Sequence, residues 1–217
     1  MELIKPFGPE IGYSQISDED NNTLLEIIEQ NKNDPSKRST NLVSGYVDWV
    51  FTIKDSLPPK FLHTIAKTVA EYANSAKSLY SPNVLVNPHE LTCVSTWCNI
   101  QKSNEFHLIH THPINDLVCV IYPKINIPHT KSIYDTALDA NILKPGSIVF
   151  QHGATVNNFG CSAHTVFPQT KDVYIFPSDM PHYTIPVWDE NYSRISVSFN
   201  FVFNDLFYQR RKLHGYR

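Results

Sequence analysis

The chain has 217 residues, enough for one large domain or two small ones. Hydrophobic residues make up 41% and charged residues 18%, which excludes an intrinsically disordered chain and suits a sizeable core. The net charge of -3 leaves no basic surplus, so we expect no nucleic-acid partner.

The N-terminal part favours helices. We predict a single domain over residues 1–217, in which residues 1–88 form a helical extension. Residues 17–31 predict a helix, because Ser17 can cap the first turn and three acidic residues follow it. A second helix is predicted to begin near Pro59, which suits a first-turn position and precedes apolar residues at helical spacing.

From residue 90 onward the sequence is typical of β-strands. Short runs rich in β-branched and aromatic residues are separated by proline, glycine, asparagine and aspartate. They are ELTCVSTWCNIQ, EFHLIHTH, LVCVIYPK, GSIVFQHG, DVYIFPS, HYTIPVW and RISVSFNFVF. So many short strands over residues 89–207 predict a sandwich or barrel, with the helices packed on one outer sheet face.

The cysteines and the N-terminus indicate an intracellular protein. None of the four cysteines has CxxC spacing, and Cys93, Cys98 and Cys119 lie in strand runs, so we expect reduced thiols near the core. The first residues lack the basic and apolar regions of a secretion signal. No run approaches the roughly 20 apolar residues of a membrane span. We therefore expect a soluble cytoplasmic protein.

Three of the ten histidines lie in HLIHTHP, residues 107–113. Residues two apart on a strand share a face, so His110 and His112 are predicted to point one way and His107 the other. A third imidazole could come from His182, which follows the turn FPSDMP. Histidine is the commonest metal ligand, so this set predicts a metal site suited to Fe(II), with Zn, Cu or Ni as alternatives.

Asp116 and two further histidines have open roles. The spacing HxHxxxD resembles the first cupin motif, so Asp116 is either an added metal ligand or a turn residue in PIND. His152 and His164 flank a segment rich in glycine and asparagine that could cover a site. Either histidine could therefore contact a substrate.

Four motifs between residues 97 and 200 resemble the Fe(II)/2-oxoglutarate-dependent oxygenases, in particular the bacterial and phage group related to prolyl 4-hydroxylases. TWCNIQKSNEFHLIHTHP is similar to a W-x-N strand that leads into a HTHP segment, and DLVCVIYP to the strand that follows. GSIVF with VYIFPSDMPHYTIP is similar to the run that carries the distal ligand, and RISVSFNF to the closing R-x-S strand. FGPEIGY resembles the group's N-terminal strand.

The resemblance implies a mainly β, double-stranded β-helix (jelly-roll, cupin-like) domain, and a dioxygenase that most often acts as a hydroxylase. Fe(II) is the implied cofactor, with O₂ and 2-oxoglutarate as cosubstrates. The far carboxylate of 2-oxoglutarate needs a cation and a hydroxyl. Arg194 offers a bidentate fork, and Ser196 faces the same way on the strand. Tyr122, Asn99 and Asn200 are further candidates for contact with the cosubstrate.

One position departs from the family's usual ligand pattern, HxD…H, because His112 stands where the carboxylate would be. Three interpretations follow. Three imidazoles hold the iron, Asp116 supplies the carboxylate, or His112 binds nothing and a coordination position stays open.

Other functions fit the same residues. One is a metal-binding cupin enzyme that does not use 2-oxoglutarate. Another is a non-catalytic jelly-roll that binds a ligand or builds a structural particle, which predicts no inward-facing Arg194. The prime substrate is open among a prolyl peptide, a free amino acid, a nucleotide and a small metabolite. The sequence leaves open whether the protein forms a homodimer. The resemblance suggests that the protein is located in the cytoplasm of a bacterial cell or of a phage-infected host.

Overall fold

A computed structural model describes residues 1–4, 8–39, 47–76, 85–126, 145–153 and 162–213. The strands are β1 (Glu2–Ile4), β2 (Ile11–Gln15), β3 (Trp49–Thr52), β4 (Leu91–Lys102), β5 (Leu117–Asn126), β6 (Ile148–Gln151), β7 (Ala163–Val166), β8 (Asp172–Pro177), β9 (His182–Thr184) and β10 (Ser193–Phe203). The helices are α1 (Asp18–Asn31), α2 (Pro59–Ser75) and α3 (Asp205–Leu213), with 3₁₀ turns at Pro35–Lys37, Lys54–Ser56 and Pro88–Glu90.

The strands form two antiparallel sheets. The larger sheet has the order β1-β2-β8-β5-β10-β4-β3, and the smaller has the order β7-β6-β9. Every strand pair in both sheets is antiparallel. The predicted mainly β jelly-roll, with helices packed on one sheet, is confirmed.

Strand β5 shows how the larger sheet separates two apolar cores. Successive side chains on a strand point to opposite faces. Leu117, Cys119 and Ile121 belong to the core that also holds the apolar faces of α1 and α2. Val118, Val120 and Tyr122 belong to a second core, shared with Ile148 and Phe150 of β6. The second core lies between the sheets, where a cavity can be enclosed.

Both helices predicted from the sequence are present. The Ser17 hydroxyl accepts a hydrogen bond from the backbone N–H of Asp20 at 3.0 Å and so caps α1. Pro59 occupies the first turn of α2, where the missing N–H costs nothing. The N-terminal part is not only helical, because β1, β2 and β3 also join the larger sheet. β2 begins at Ile11, within the FGPEIGY motif.

The prediction of a strand over EFHLIHTH was wrong. Asn104 has a φ of 65° and turns the chain away from β4, and Ile114 has a φ of 71°, which β-branched residues rarely adopt. Between them the segment forms only single-residue bridges, at His107 and at His110, and the second of these pairs with His182. The two-residue alternation of a strand therefore does not govern where its side chains point.

Three of the four cysteines lie among the described residues. Cys98 and Cys119 are buried, Cys93 is half-buried, and all three are free, whereas Cys161 lies outside the described residues. Within the described ranges, no helix combines the length and the apolar character needed to cross a membrane.

Candidate active site

A cavity of about 510 Å³ lies between the two sheets. Its walls come from β4, β5 and β10 of the larger sheet, from β6 and β9 of the smaller sheet, and from the irregular segment that joins β4 to β5. Sequence-predicted site residues that line it are His110, His112, His182, Tyr122, Asn99, Arg194 and Ser196. The fold therefore brings most of the candidate residues together.

Three histidines converge at one end of the cavity. One ligand nitrogen each from His110, His112 and His182 lies within 4.8 Å of the other two. The backbones of His110 and His182 exchange two hydrogen bonds of 3.0 Å, which fixes the irregular segment against β9. The Nε2 atoms of His112 and His182 are 3.3 Å apart. We refer to these residues as the histidine triad.

The outer nitrogens of the triad set its chemistry. Nδ1 of His110 donates to the carbonyl of Leu108 at 2.7 Å, and Nδ1 of His182 donates to the carbonyl of Met180 at 2.9 Å. A carbonyl can only accept, so in both rings Nδ1 carries the proton and Nε2 keeps a lone pair. Hydrogen bonds of this kind orient metal-ligating histidines in general.

His112 is oriented by a side chain. Its Nδ1 donates to Oδ1 of Asn200 at 2.8 Å, and Nδ2 of Asn200 donates to the Ser95 hydroxyl at 2.9 Å. The pairing of β10 with β4 shifts register directly after Asn200, and such bulges re-aim side chains next to sites. The Trp97 ring lies nearly parallel to the His112 ring, with centroids 5.7 Å apart.

The triad is electrically neutral at pH 7. Burial, together with the nearby His110, lowers the pKa of His112 to about 4. Burial also lowers the pKa of His110, and it lowers that of His182 well below its usual value. Nε2 lone pairs that face one another at 3.3 Å repel unless a cation lies between them. The three imidazoles could therefore hold a divalent metal ion such as Fe(II).

Arg194 lies at the other end of the cavity and is 1% exposed. Nη1 donates to the carbonyl of Gly146 at 3.0 Å, and Nη2 donates to Oε1 of Gln101. Within the described residues Nε has no hydrogen-bond partner, and the acceptors of the other two nitrogens are uncharged. The guanidinium carbon is 5.6 Å from the centre of the Tyr122 ring. The site therefore presents a buried cation to whatever enters the cavity.

A row of cross-strand pairs on β4 and β10 connects the two ends. The pairs are Gln101 with Arg194, Asn99 with Ser196, Trp97 with Ser198, and Ser95 with Asn200. Residues two apart share a face, so one face carries hydroxyl, amide and guanidinium groups. The opposite face of β10 carries Ile195, Val197 and Phe199 in the helix-side core.

Several predicted residues lie elsewhere. Asp116 is not part of the triad; its Oδ2 accepts the backbone N–H of Phe203 at 2.8 Å. Asn200 stands behind His112 rather than in the cavity wall. His152 is exposed beside Gly8, and His164 faces Phe150 across β7 and β6. Neither of these two histidines lines the cavity.

His107 and Gln101 are among the site residues that were not predicted from the sequence. His107 lines the cavity although strand alternation placed it on the other face. Gln101 binds Arg194, and its amide is fixed because Nε2 donates to the carbonyl of Glu105 at 2.6 Å. The sequence did carry a signal for Gln101, which lies two residues after Asn99 on the same strand.

Comparison with known proteins identifies similar sequences and folds. Residues 95–200 match a family described as "Putative 2OG-Fe(II) oxygenase". No curated protein sequence matches the chain.

Solved structures share the fold. A Pseudomonas putida prolyl-4-hydroxylase is 12% identical, with a TM-score of 0.58 over 89% of this chain and 92% of that one. A viral collagen prolyl hydroxylase from Paramecium Bursaria Chlorella virus-1, in a 2OG complex, is 12% identical, with a TM-score of 0.53 over 88% and 94%. A Trichoplax adhaerens prolyl hydroxylase, in complex with a hypoxia inducible factor peptide fragment, is 10% identical, with a TM-score of 0.58 over 94% and 86%. At these identities the likeness shows a common fold.

Proposed function

We propose that the cavity described above is the active site of a 2OG-Fe(II) oxygenase, the family that residues 95–200 match and that the motifs predicted. His110, His112 and His182 hold Fe(II) in this proposal. Arg194 and Ser196 bind the far carboxylate of 2-oxoglutarate. Of the three interpretations left open by the ligand pattern, we adopt the one with three imidazoles.

The convergence of the triad supports the metal assignment. All three Nδ1 atoms donate to oxygens, so all three Nε2 atoms are left to face the same region. Bound Fe(II), with O₂ and 2-oxoglutarate, supplies oxidation of a C–H bond, with succinate and carbon dioxide as the accompanying products. The protein holds the imidazoles neutral and oriented.

The observation that carries the cosubstrate assignment is the buried Arg194. A charge removed from water is costly unless an opposite charge or several hydrogen bonds compensate it. Among the described residues the hydrogen bonds of Arg194 go only to neutral oxygens, and its Nε stays unbonded. A carboxylate of a dianion such as 2-oxoglutarate would supply the missing partner in bidentate geometry. A non-catalytic jelly-roll gives no reason for this arginine.

We further propose that the reaction is a hydroxylation. The structural relatives named above are prolyl hydroxylases, so a prolyl peptide is the first substrate class to test. Mass spectrometry of candidate peptides after incubation with Fe(II), O₂ and 2-oxoglutarate checks this. A hydroxylated product gains the mass of one oxygen atom. A peptide that is converted to a product of unchanged or reduced mass would contradict hydroxylation.

An anaerobic titration tests the assignment of the site. The Fe(II) protein is titrated with 2-oxoglutarate while the charge-transfer absorbance of the chelate is followed. Arg194→Ala should retain iron and weaken 2-oxoglutarate binding by roughly 30-fold to several thousand-fold, as expected for a lost bidentate contact. Arg194→Lys should recover only part, because an ammonium cannot reproduce the planar fork.

Arg38→Ala is the matched control, because Arg38 is exposed and bonds the carbonyl of Asp48 outside the cavity. It should bind 2-oxoglutarate like the wild type. A wild-type protein without the absorbance band, or an Arg194→Ala variant with unchanged affinity, would contradict the proposed cosubstrate site.

A further inference from the structure

We propose that His107 is a fourth functional histidine, a side chain of the cavity wall that contacts 2-oxoglutarate. The inference rests on the proposed function, because it assigns a further contact to the same cosubstrate. It differs from the assignments above in that His107 belongs neither to the histidine triad nor to the arginine site.

The placement of His107 is the first support. Its side chain lines the same cavity as the triad and Arg194, although the residue is only 9% exposed. Its ring centroid is 5.8 Å from that of His110, whose nitrogen belongs to the triad. Arg194 lines the same cavity as well. A cosubstrate that reaches from the triad to Arg194 would pass along this ring.

The rigidity of His107 is the second support. Its backbone N–H donates to the hydroxyl of Thr184 at 2.8 Å, and its carbonyl accepts the N–H of Thr184 at 3.1 Å. These two bonds attach the irregular segment to the end of β9. Side chains on a fixed backbone lose less freedom when they bind a ligand, so the position suits a binding contact.

The chemistry of the ring fits a dianion beside two cations. Burial, together with the positive charge of Arg194, lowers the pKa of His107 to about 3. The imidazole is therefore neutral at pH 7 and offers one N–H donor and one acceptor. It can donate to an oxygen of 2-oxoglutarate without adding a third positive charge to a cavity that would already hold Fe(II) and Arg194.

Three variants test the contact by the anaerobic titration described above. His107→Leu and His107→Phe remove both nitrogens, and the second keeps a planar ring in case the first does not fold. Both should bind 2-oxoglutarate roughly 10-fold or more weakly, as expected for one lost hydrogen bond to a charged group. His107→Gln keeps an N–H donor and should recover part of the affinity. Metal analysis should find Fe(II) retained in all three.

The control is His164→Ala, which removes an imidazole that does not line the cavity and should leave 2-oxoglutarate affinity unchanged. Unchanged affinity in His107→Leu and His107→Phe would overturn the inference alone. So would loss of iron on the scale of His110→Ala, or a glutamine variant no better than leucine. A wild type that binds iron but no 2-oxoglutarate would instead overturn the proposed function, and this contact with it.

Discussion

The two ends of the cavity are built in opposite ways. At the triad end, lone pairs face one another and each ring is fixed by an oxygen acceptor at Nδ1. At the arginine end, the guanidinium cation donates hydrogen bonds to two neutral oxygens, and among the residues that the structure describes no carboxylate bonds to it. One end is short of positive charge and the other is short of negative charge. A metal ion and a dianion together would satisfy both.

The backbone differs between the ends as well. His110 and His112 lie on an irregular segment, and His182 begins a strand of three residues. Arg194 lies on β10, a strand of eleven residues that pairs with β5 on one side and β4 on the other within the larger sheet. Because different elements carry the two groups, metal affinity and cosubstrate affinity should respond separately to mutation.

The largest effect is expected from His182→Ala. Loss of one of three imidazoles should reduce Fe(II) affinity by more than about 100-fold, because even groups that merely orient a ligand contribute about 10- to 100-fold. Iron content after equilibrium dialysis measures this. His63→Ala, at an exposed position of α2, is the control and should keep wild-type iron content. Retention of iron by His182→Ala would refute the triad as the metal site.

The arginine end is tested by Gln101→Glu. A carboxylate at this position would pair with Arg194 and compete with the cosubstrate. We expect 2-oxoglutarate affinity to fall by roughly 30-fold or more, with iron retained. Gln101→Met, which removes the hydrogen bond but adds no charge, should lose less affinity. If both variants bind 2-oxoglutarate equally well, the charge of Arg194 is not the anchor.

Regular strands explain which parts of the site could be predicted from the sequence. RISVSFNF alternates polar and apolar residues, so the common face of Arg194 and Ser196 follows from the two-residue period. In the structure that face borders the cavity and the apolar residues lie in the helix-side core. A long strand keeps this period because both of its neighbours pair with it along its length.

The irregular segment explains what could not be predicted. Its backbone bonds go to distant residues, such as that of His112 to the carbonyl of Ser178 at 2.8 Å, and no local pattern encodes them. His107 was therefore placed on the wrong face. Strands β1 and β3 contain three and four residues, too few to show a period without knowledge of their partners. The contact of Asn200 with His112 likewise depends on tertiary folding.

A smaller effect at the triad end is expected from Asn200→Ala. His112 would lose the acceptor that orients its ring, and Fe(II) affinity should fall by about 10-fold, the lower end for such groups. Asn200→Asp keeps an oxygen toward Nδ1, and the Ser95 hydroxyl can rotate to donate to it, so this variant should stay near wild type. Titration of the metal-free protein with Fe(II) measures both. Equal losses in the two variants would show that the oxygen acceptor is not what matters.

The smallest effect is expected from Asp116→Asn. This variant distinguishes a metal site of three imidazoles from a metal site that includes a carboxylate ligand. Asp116 holds the end of β10, because its Oδ2 accepts the N–H of Phe203 and its own N–H donates to the carbonyl of Phe201 at 2.9 Å. Asparagine keeps an acceptor oxygen, so Fe(II) affinity should stay within about 2-fold of wild type. The free energy of unfolding should fall by no more than about 1 kcal/mol, since one charged hydrogen bond becomes neutral. Iron titration and thermal unfolding measure the two quantities. A loss of iron as large as that of His182→Ala would make Asp116 a ligand and would replace the three-imidazole site by one with a carboxylate.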